Sequence, residues 1–129
     1  MKKILALLAA ALLFVSCAEE IFPDTDTYRV KYTFDASMIV DDITLDIDYV
    51  FQFTDEYMQE ANMSYHESGT HEITVGPFHY NDIVRAKIVY DDIMYSDVVS
   101  HIKMSISKNG GSYELCETSD SGEIRYQIK

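Results

Sequence analysis

Three groups of residues in this chain have the types and spacing to do chemistry. The first is His66-Glu67-Ser68-Gly69-Thr70-His71, where a Ser-Gly turn would set two imidazoles across a hairpin. Two such rings can chelate Zn²⁺ or Cu²⁺, but a usual site takes three or four ligands, and the spacing supplies no third. His66 and His71 are therefore candidate metal ligands set against a plainer reading as a solvated hairpin tip. The second group is the acidic pairs Asp41-Asp42 and Asp91-Asp92, with Asp97. Calcium needs six to eight hard oxygens, and nothing here follows the alternating carboxylate loop that supplies them. Aspartates at strand ends are also ordinary turn residues. The third is the loop 91–97, which places Ile93, Met94 and Tyr95 between two strands. Apolar and aromatic residues on a loop held by a rigid scaffold suit a glycan or protein ligand. The competing reading is that they fold back and close one end of the domain.

Cys116 is a further reactive candidate. Alternation puts it with Glu114 and Arg125, away from Tyr113 and Leu115, and Arg125 would favour its thiolate. No histidine falls near enough to serve it as a base. The chain carries no phosphate-cradling glycine loop, nucleophile elbow or zinc-protease helix, so it reads as non-catalytic and implies no cofactor.

The elements that would position these groups are strands. Tyr28, Val30, Tyr32 and Phe34 alternate with Arg29, Lys31 and Thr33. Ile43, Leu45, Ile47, Tyr49, Phe51 and Phe53 alternate with Thr44, Asp46, Asp48, Val50 and Gln52. Period-two patterning turns one face to a core and the other to water. Pairing the two runs as a hairpin puts Tyr28 opposite Tyr49, Val30 opposite Ile47, Tyr32 opposite Leu45 and Phe34 opposite Ile43. The same register sets Arg29 against Asp48 and Lys31 against Asp46, matches that a one-residue slip would destroy. Thr54-Asp55-Glu56 has the form of a helix start, predicting a short helix to about Ala61. Further strands are expected at 70–76, 82–90, 98–107, 112–118 and 123–129. The last two read as a hairpin closed by Ser119-Asp120-Ser121-Gly122, with Tyr113, Leu115, Tyr126 and Ile128 facing inward. Arg85, Lys87, His101 and Lys103 would repel if their runs paired in register, so those runs belong offset or in different sheets. About seven short strands predict an all-β fold, an antiparallel β-sandwich of immunoglobulin-like type, with a small barrel as the alternative.

The N-terminus reads as an address. Lys2 and Lys3 precede an apolar run from Ile4 to Val15, which is shorter than the ~20 residues needed to cross a ~30 Å hydrocarbon layer. A charged start and a short apolar core make a secretory signal. Its end, Phe14-Val15-Ser16-Cys17, resembles the signal of bacterial lipoproteins, where a small residue precedes a cysteine that is lipidated and becomes the new N-terminus. The resemblance implies three parts: residues 1–16 as a cleaved signal helix, 17–26 as lipidated Cys17 and a polar tether, and 27–129 as the folded domain. It also implies a membrane partner through the lipid anchor. Ala18 is not the Asp that in this class marks inner-membrane retention, so the resemblance points to the outer membrane of a Gram-negative cell. Glu19 and Glu20 resemble the acidic residues that send some such lipoproteins to the cell surface.

Composition narrows what remains. The 129 residues carry 22 acids, 10 bases and 4 histidines, a formal charge of −12 that loss of Lys2 and Lys3 makes more negative. Nucleic-acid affinity rests on basic residues neutralising phosphates, so nucleic acid is not an expected partner. Past Cys17 only Cys116 remains, and the domain must hold together without an internal disulfide. The function read from the sequence is a lipid-anchored envelope lipoprotein with a small non-catalytic binding or structural module. An acidic inhibitor of a basic hydrolase is the first alternative, and a metal-dependent hydrolase built on His66, His71 and an acid the second.

Overall fold

A computed structural model describes residues 25–91 and 97–129. Cys17, with the expected signal and most of the expected tether, and Ile93, Met94 and Tyr95 lie outside the described residues.

The described residues form an antiparallel β-sandwich of nine strands: β1 (Tyr28–Val40), β2 (Ile43–Leu45), β3 (Tyr49–Thr54), β4 (Glu60–Tyr65), β5 (His71–Phe78), β6 (Ile83–Val89), β7 (Val98–Lys108), β8 (Glu114–Ser119) and β9 (Glu123–Gln127). One sheet runs β2-β1-β7-β8 with β5 also paired to β1, and the other runs β4-β3-β6-β9. Among the described residues there is no helix, and so none long and apolar enough to cross a membrane.

Most inward-facing residues are those the alternation marks, but Ile43 and Leu45, marked with them, are exposed on β2. Tyr28, Val30, Tyr32, Phe34 and Ala36 of β1 are all buried, as are Ile47, Tyr49 and Phe51 on the facing layer. Phe34 stacks on Phe51 with ring centroids 3.9 Å apart, and Tyr32 meets the same ring edge-on at 5.4 Å. Each such ring taken out of water contributes about 1.5–3 kcal/mol, with roughly 0.5–1.5 more for a good aromatic pair.

The expected hairpin between the first two runs is not formed. β1 pairs with β2 through Met38–Leu45 and Val40–Ile43, closed by Asp41 and Asp42, both at positive φ (48° and 65°). Two left-handed residues are what a tight hairpin of the twisted type requires, and Asp tolerates that region. After Leu45 the chain switches sheets through Asp46, Ile47 and Asp48, so Tyr49 and Phe51 meet Tyr32 and Phe34 across the sandwich rather than beside them. Ile47 stays buried through the switch. A residue that faces the core keeps facing it when its strand changes layer, so alternation cannot tell a neighbour in the sheet from a partner across the core. The charge pairs fall with the register. Lys31 lies over the Tyr113 ring at 4.4 Å, and Arg29 sits opposite Ser107.

Three further expectations need correction. The helix after Thr54 is a hairpin turn: Asp55 Oδ1 accepts hydrogen bonds from the Tyr57 and Gln59 amides, both at 2.9 Å, and Met58 takes φ 61°. Here the Asp carboxylate satisfies a turn rather than capping a helix, and β4 begins at Glu60. β8 and β9 are not a hairpin but belong to different sheets, joined by the crossover 119–122. Finally, Tyr113 and Leu115 are exposed (36% and 62%), while Cys116 is half-buried. The β7–β8 register shifts between Met104 and Ser105, leaving Cys116 as the extra residue of a bulge and reversing which side chains turn inward. Ile124 and Ile128 are buried, and Tyr126 packs against the core. Arg85 and Lys87 on β6 do lie in a different sheet from His101 and Lys103 on β7.

Candidate functional site

The domain has two distinct ends. At one, the chain enters beside the β7–β8 turn. Thr27 N donates to Asn109 Oδ1 at 2.9 Å, Asn109 N donates to Thr27 O at 2.8 Å, and Asn109 Nδ2 donates to Asp26 Oδ1 at 2.8 Å. Lys108 Nζ adds an ion pair with Asp26 at 3.1 Å. The first described residues are therefore held at a fixed point. At the other end, Ile39 N donates to Asp97 O at 3.1 Å, tying the residue before β7 to the β1–β2 hairpin. β1 spans the two ends: Tyr28 pairs with Lys108 and Met38 with Val98. At ~3.3 Å per residue that places them roughly 33 Å apart.

Away from Thr27, beside the Tyr49 that meets Phe34, lies a cleft of about 370 Å³ lined by Asp48, Tyr49, Val50, Ser64, His66, Val89, Tyr90 and Asp91. Its floor follows from register, since Val50 pairs with Ser64 on one side and Val89 on the other. Its rim is polar. His66 Nδ1 lies 2.7 Å from Asp48 Oδ1, and both side chains are exposed (72% and 73%). Beside it, Asp46 Oδ1 accepts from both the amide and the hydroxyl of Ser68. The Ser68 hydroxyl and amide hold the Asp46 carboxyl below its usual range. These bonds tie the sheet switch at 46–48 to the 66–70 connection and frame one side of the cleft.

His66 is thus in the site, but not as a partner of His71. β4 pairs with β3 and β5 with β1, so the segment between the two histidines passes from one sheet to the other instead of turning back as a hairpin. His71 packs its ring 4.5 Å from Tyr65, and its Nε2 lies 3.2 Å from Glu67 O. Among the described residues no group of three or more His, Cys, Asp or Glu side chains comes together to hold a metal. No hydrogen bond among the described residues joins Ser64 to His66, although both line the cleft. An apolar floor with an imidazole, carboxylates, a hydroxyl and the half-buried Tyr90 at its edge matches the surface of a sugar or peptide, which offers hydroxyl or amide groups around apolar patches.

Ile93, Met94 and Tyr95 lie outside the described residues, and Asp91, ahead of them in the chain, lines the cleft. Val50 was the signal available in the sequence, an apolar residue on the otherwise polar face of its strand. Tyr90, Ser64 and Val89 had no such mark. Cys116 lies at the opposite end, in a cleft of about 460 Å³ with Tyr28, Glu114, Tyr126 and Ile128. Its Sγ donates to Glu114 O at 3.4 Å. Burial, together with the adjacent Cys116 and Glu117, raises the Tyr126 hydroxyl above its usual pKa.

Comparison with protein-family profiles, with curated proteins and with solved structures finds no match to this chain. The class defined by fold and site is an acidic two-sheet β-sandwich with its entry strand pinned at one end and an open cleft away from it.

Proposed function

We propose that this is a lipid-anchored protein of the cell envelope, held to the outer membrane through Cys17, whose sandwich is a non-catalytic binding or structural module. One observation carries the reading: the start of the domain is pinned at Asn109, and the cleft of His66, Asp48 and Tyr90 lies away from it on the other sheet, beside Tyr49, which meets β1 at Phe34. A domain fixed to a bilayer at its start would turn the cleft outward. The extended tether adds at most ~30 Å of reach. In this reading the ligand is a glycan or protein segment gripped by the 48/66/90 cleft together with Ile93, Met94 and Tyr95.

The test is a glycan and protein array probed with the full chain, then with His66→Ala and Tyr95→Ala. A ligand lost in both variants is the expected result. A ligand retained by both would remove this end of the domain from the function.

A further inference from the structure

A second surface lies on the flank of the sandwich, where β4 and β5 stand as the edges of the two sheets. Each has one ladder partner only, β3 for β4 and β1 for β5, so among the described residues their outer edges are unpaired. No described strand bridges β4 and β5 on this flank. Ala61, Met63 and Tyr65 share the inward face of β4 through their pairing with Phe53, Phe51 and Tyr49, yet Met63 is 42% exposed. Ile73 and Val75, opposite Tyr32 and Val30 on the inward face of β5, are only half-buried. Between them runs a groove of about 250 Å³ lined by Phe53, Met63, Ile73 and Val75, with Asp55 and Glu56 at its end.

Natural strand edges are commonly blocked by lysine, proline or a bulge. β4 has none of these: Glu-Ala-Asn-Met-Ser-Tyr pairs with β3 in unbroken register. The two edge strands carry charge of one sign only, and the nearest bases, Lys31 opposite Thr74 and Arg85 and Lys87 beyond Glu60, lie on strands further in. From Tyr32 to Val84 the chain contains no Lys or Arg, and Asp55, Glu56, Glu60, Glu67 and Glu72 lie on or beside the flank. No ion pair among the described residues neutralises any of them.

We infer that the open seam between β4 and β5 accepts an extended peptide segment of a partner protein, one that alternates apolar residues with Lys or Arg. Such a segment adds to the free edge of β4 by backbone hydrogen bonds and sets its apolar side chains on Met63, Phe53, Ile73 and Val75. Its basic side chains, on the opposite face of the strand, meet the acidic rim. A second copy of this chain is the poorer occupant, because it would bring another net charge of −12 to an acidic flank. This surface is separate from the cleft at His66 and does not depend on the lipid anchor.

The experiment uses the full chain in detergent micelles and three short fluorescent peptides read by anisotropy: alternating Val and Lys, alternating Val and Glu, and Val-Lys with alternate amides N-methylated. The inference expects the Val-Lys peptide to bind, to weaken at least tenfold between low and high salt, and to lose at least tenfold in affinity in both Met63→Lys and Glu60→Lys. It expects little binding of the other two peptides. Circular dichroism and an unchanged melting transition establish that each variant is folded. Glu117→Lys, a charge reversal on the distant β8 edge, should leave binding within twofold. Equal binding of the N-methylated peptide would show charge attraction without strand addition and overturn the inference. So would absence of Val-Lys binding, retained binding in both flank variants, or a β4-mediated dimer in sedimentation that the peptide does not displace.

Discussion

Thr27 and Asn109 hold each other through two reciprocal hydrogen bonds, 2.9 Å from the Thr27 amide to the Asn109 side chain and 2.8 Å from the Asn109 amide to the Thr27 carbonyl. Asn109 takes φ 52°, a left-handed conformation that Asn tolerates better than most residues, and this aims its side chain back at the entering chain. A residue in the β7–β8 turn thereby fixes where the described chain enters the sandwich.

Asn109→Ala should destabilise the domain by about 1–2 kcal/mol, through two lost side-chain hydrogen bonds and a strained φ. Asn109→Gly should relieve the strain while still losing the bonds. Urea unfolding measures the first effect, and amide exchange at Thr27, faster in both variants, measures the second.

Tyr32 and Tyr49 are buried in the core, and neither hydroxyl has a hydrogen-bond partner among the described residues. A buried hydroxyl left unsatisfied costs roughly 1–3 kcal/mol, so Tyr32→Phe should be neutral or stabilising by about 1 kcal/mol. Phe51→Ala, which empties the ring packed on Phe34 and Tyr32, should cost about 3–5 kcal/mol. Denaturant midpoints at constant slope distinguish the two signs.

The same burial makes stability depend on alkaline pH. It raises the Tyr32 hydroxyl above its ordinary value of 10.0, and raises Tyr49 with smaller contributions from Tyr65 and Asp35. Above pH 10 the unfolded chain releases phenolic protons that the native core retains. The unfolded state then binds fewer protons, and stability falls as pH rises; below pH 10 this contribution is fully present and flat. For Tyr32 the slope approaches about 1.4 kcal/mol per pH unit. Unfolding free energies of the wild type and Tyr32→Phe should therefore run parallel from pH 7 to 9 and diverge above 10, with the wild type falling faster. Parallel curves throughout would contradict this.

Gly122, in the crossover between β8 and β9, has φ 78°, and a Cβ there would stand 2.8 Å from Ser100 Oγ. Its carbonyl accepts the Ile88 amide at 2.8 Å, so the backbone has little room to shift. Gly122→Ala should cost about 1–3 kcal/mol from conformational strain and the collision. Adding Ser100→Ala should recover only the collision, a coupling that a double-mutant cycle reads directly.

Much of the architecture was legible because alternation reports which residues face inward. Tyr28, Ile47 and Ile128, all expected inside, are 5%, 2% and 1% exposed. Strand neighbours were not legible. The register matching Tyr28 to Tyr49 and Arg29 to Asp48 satisfied both faces on paper, yet Asp46–Asp48 is a sheet switch that preserves the same periodicity. β4 was hidden because Glu60–Tyr65 contains no β-branched residue and follows an acidic turn that resembles a helix start. The bulge at Cys116 reversed the faces of Tyr113 and Leu115, and no pattern in the strand itself announces a bulge. The cleft draws on β3, β4, β6 and two connections, so its members never stand together in the sequence. Only His66 and Asp91 could be singled out for their chemistry, and His66 was assigned the wrong neighbour.

The central claim is that a lipid on Cys17 fixes the tether end and turns the His66 cleft outward. Mass spectrometry of the N-terminal peptide, from protein purified out of membranes, tests it most directly. The account predicts a chain that begins at Cys17 and carries acyl groups, and a Cys17→Ser variant that lacks them and leaves the membrane fraction or remains uncleaved. A chain that begins elsewhere, or a Cys17 bearing no acyl group, would contradict it.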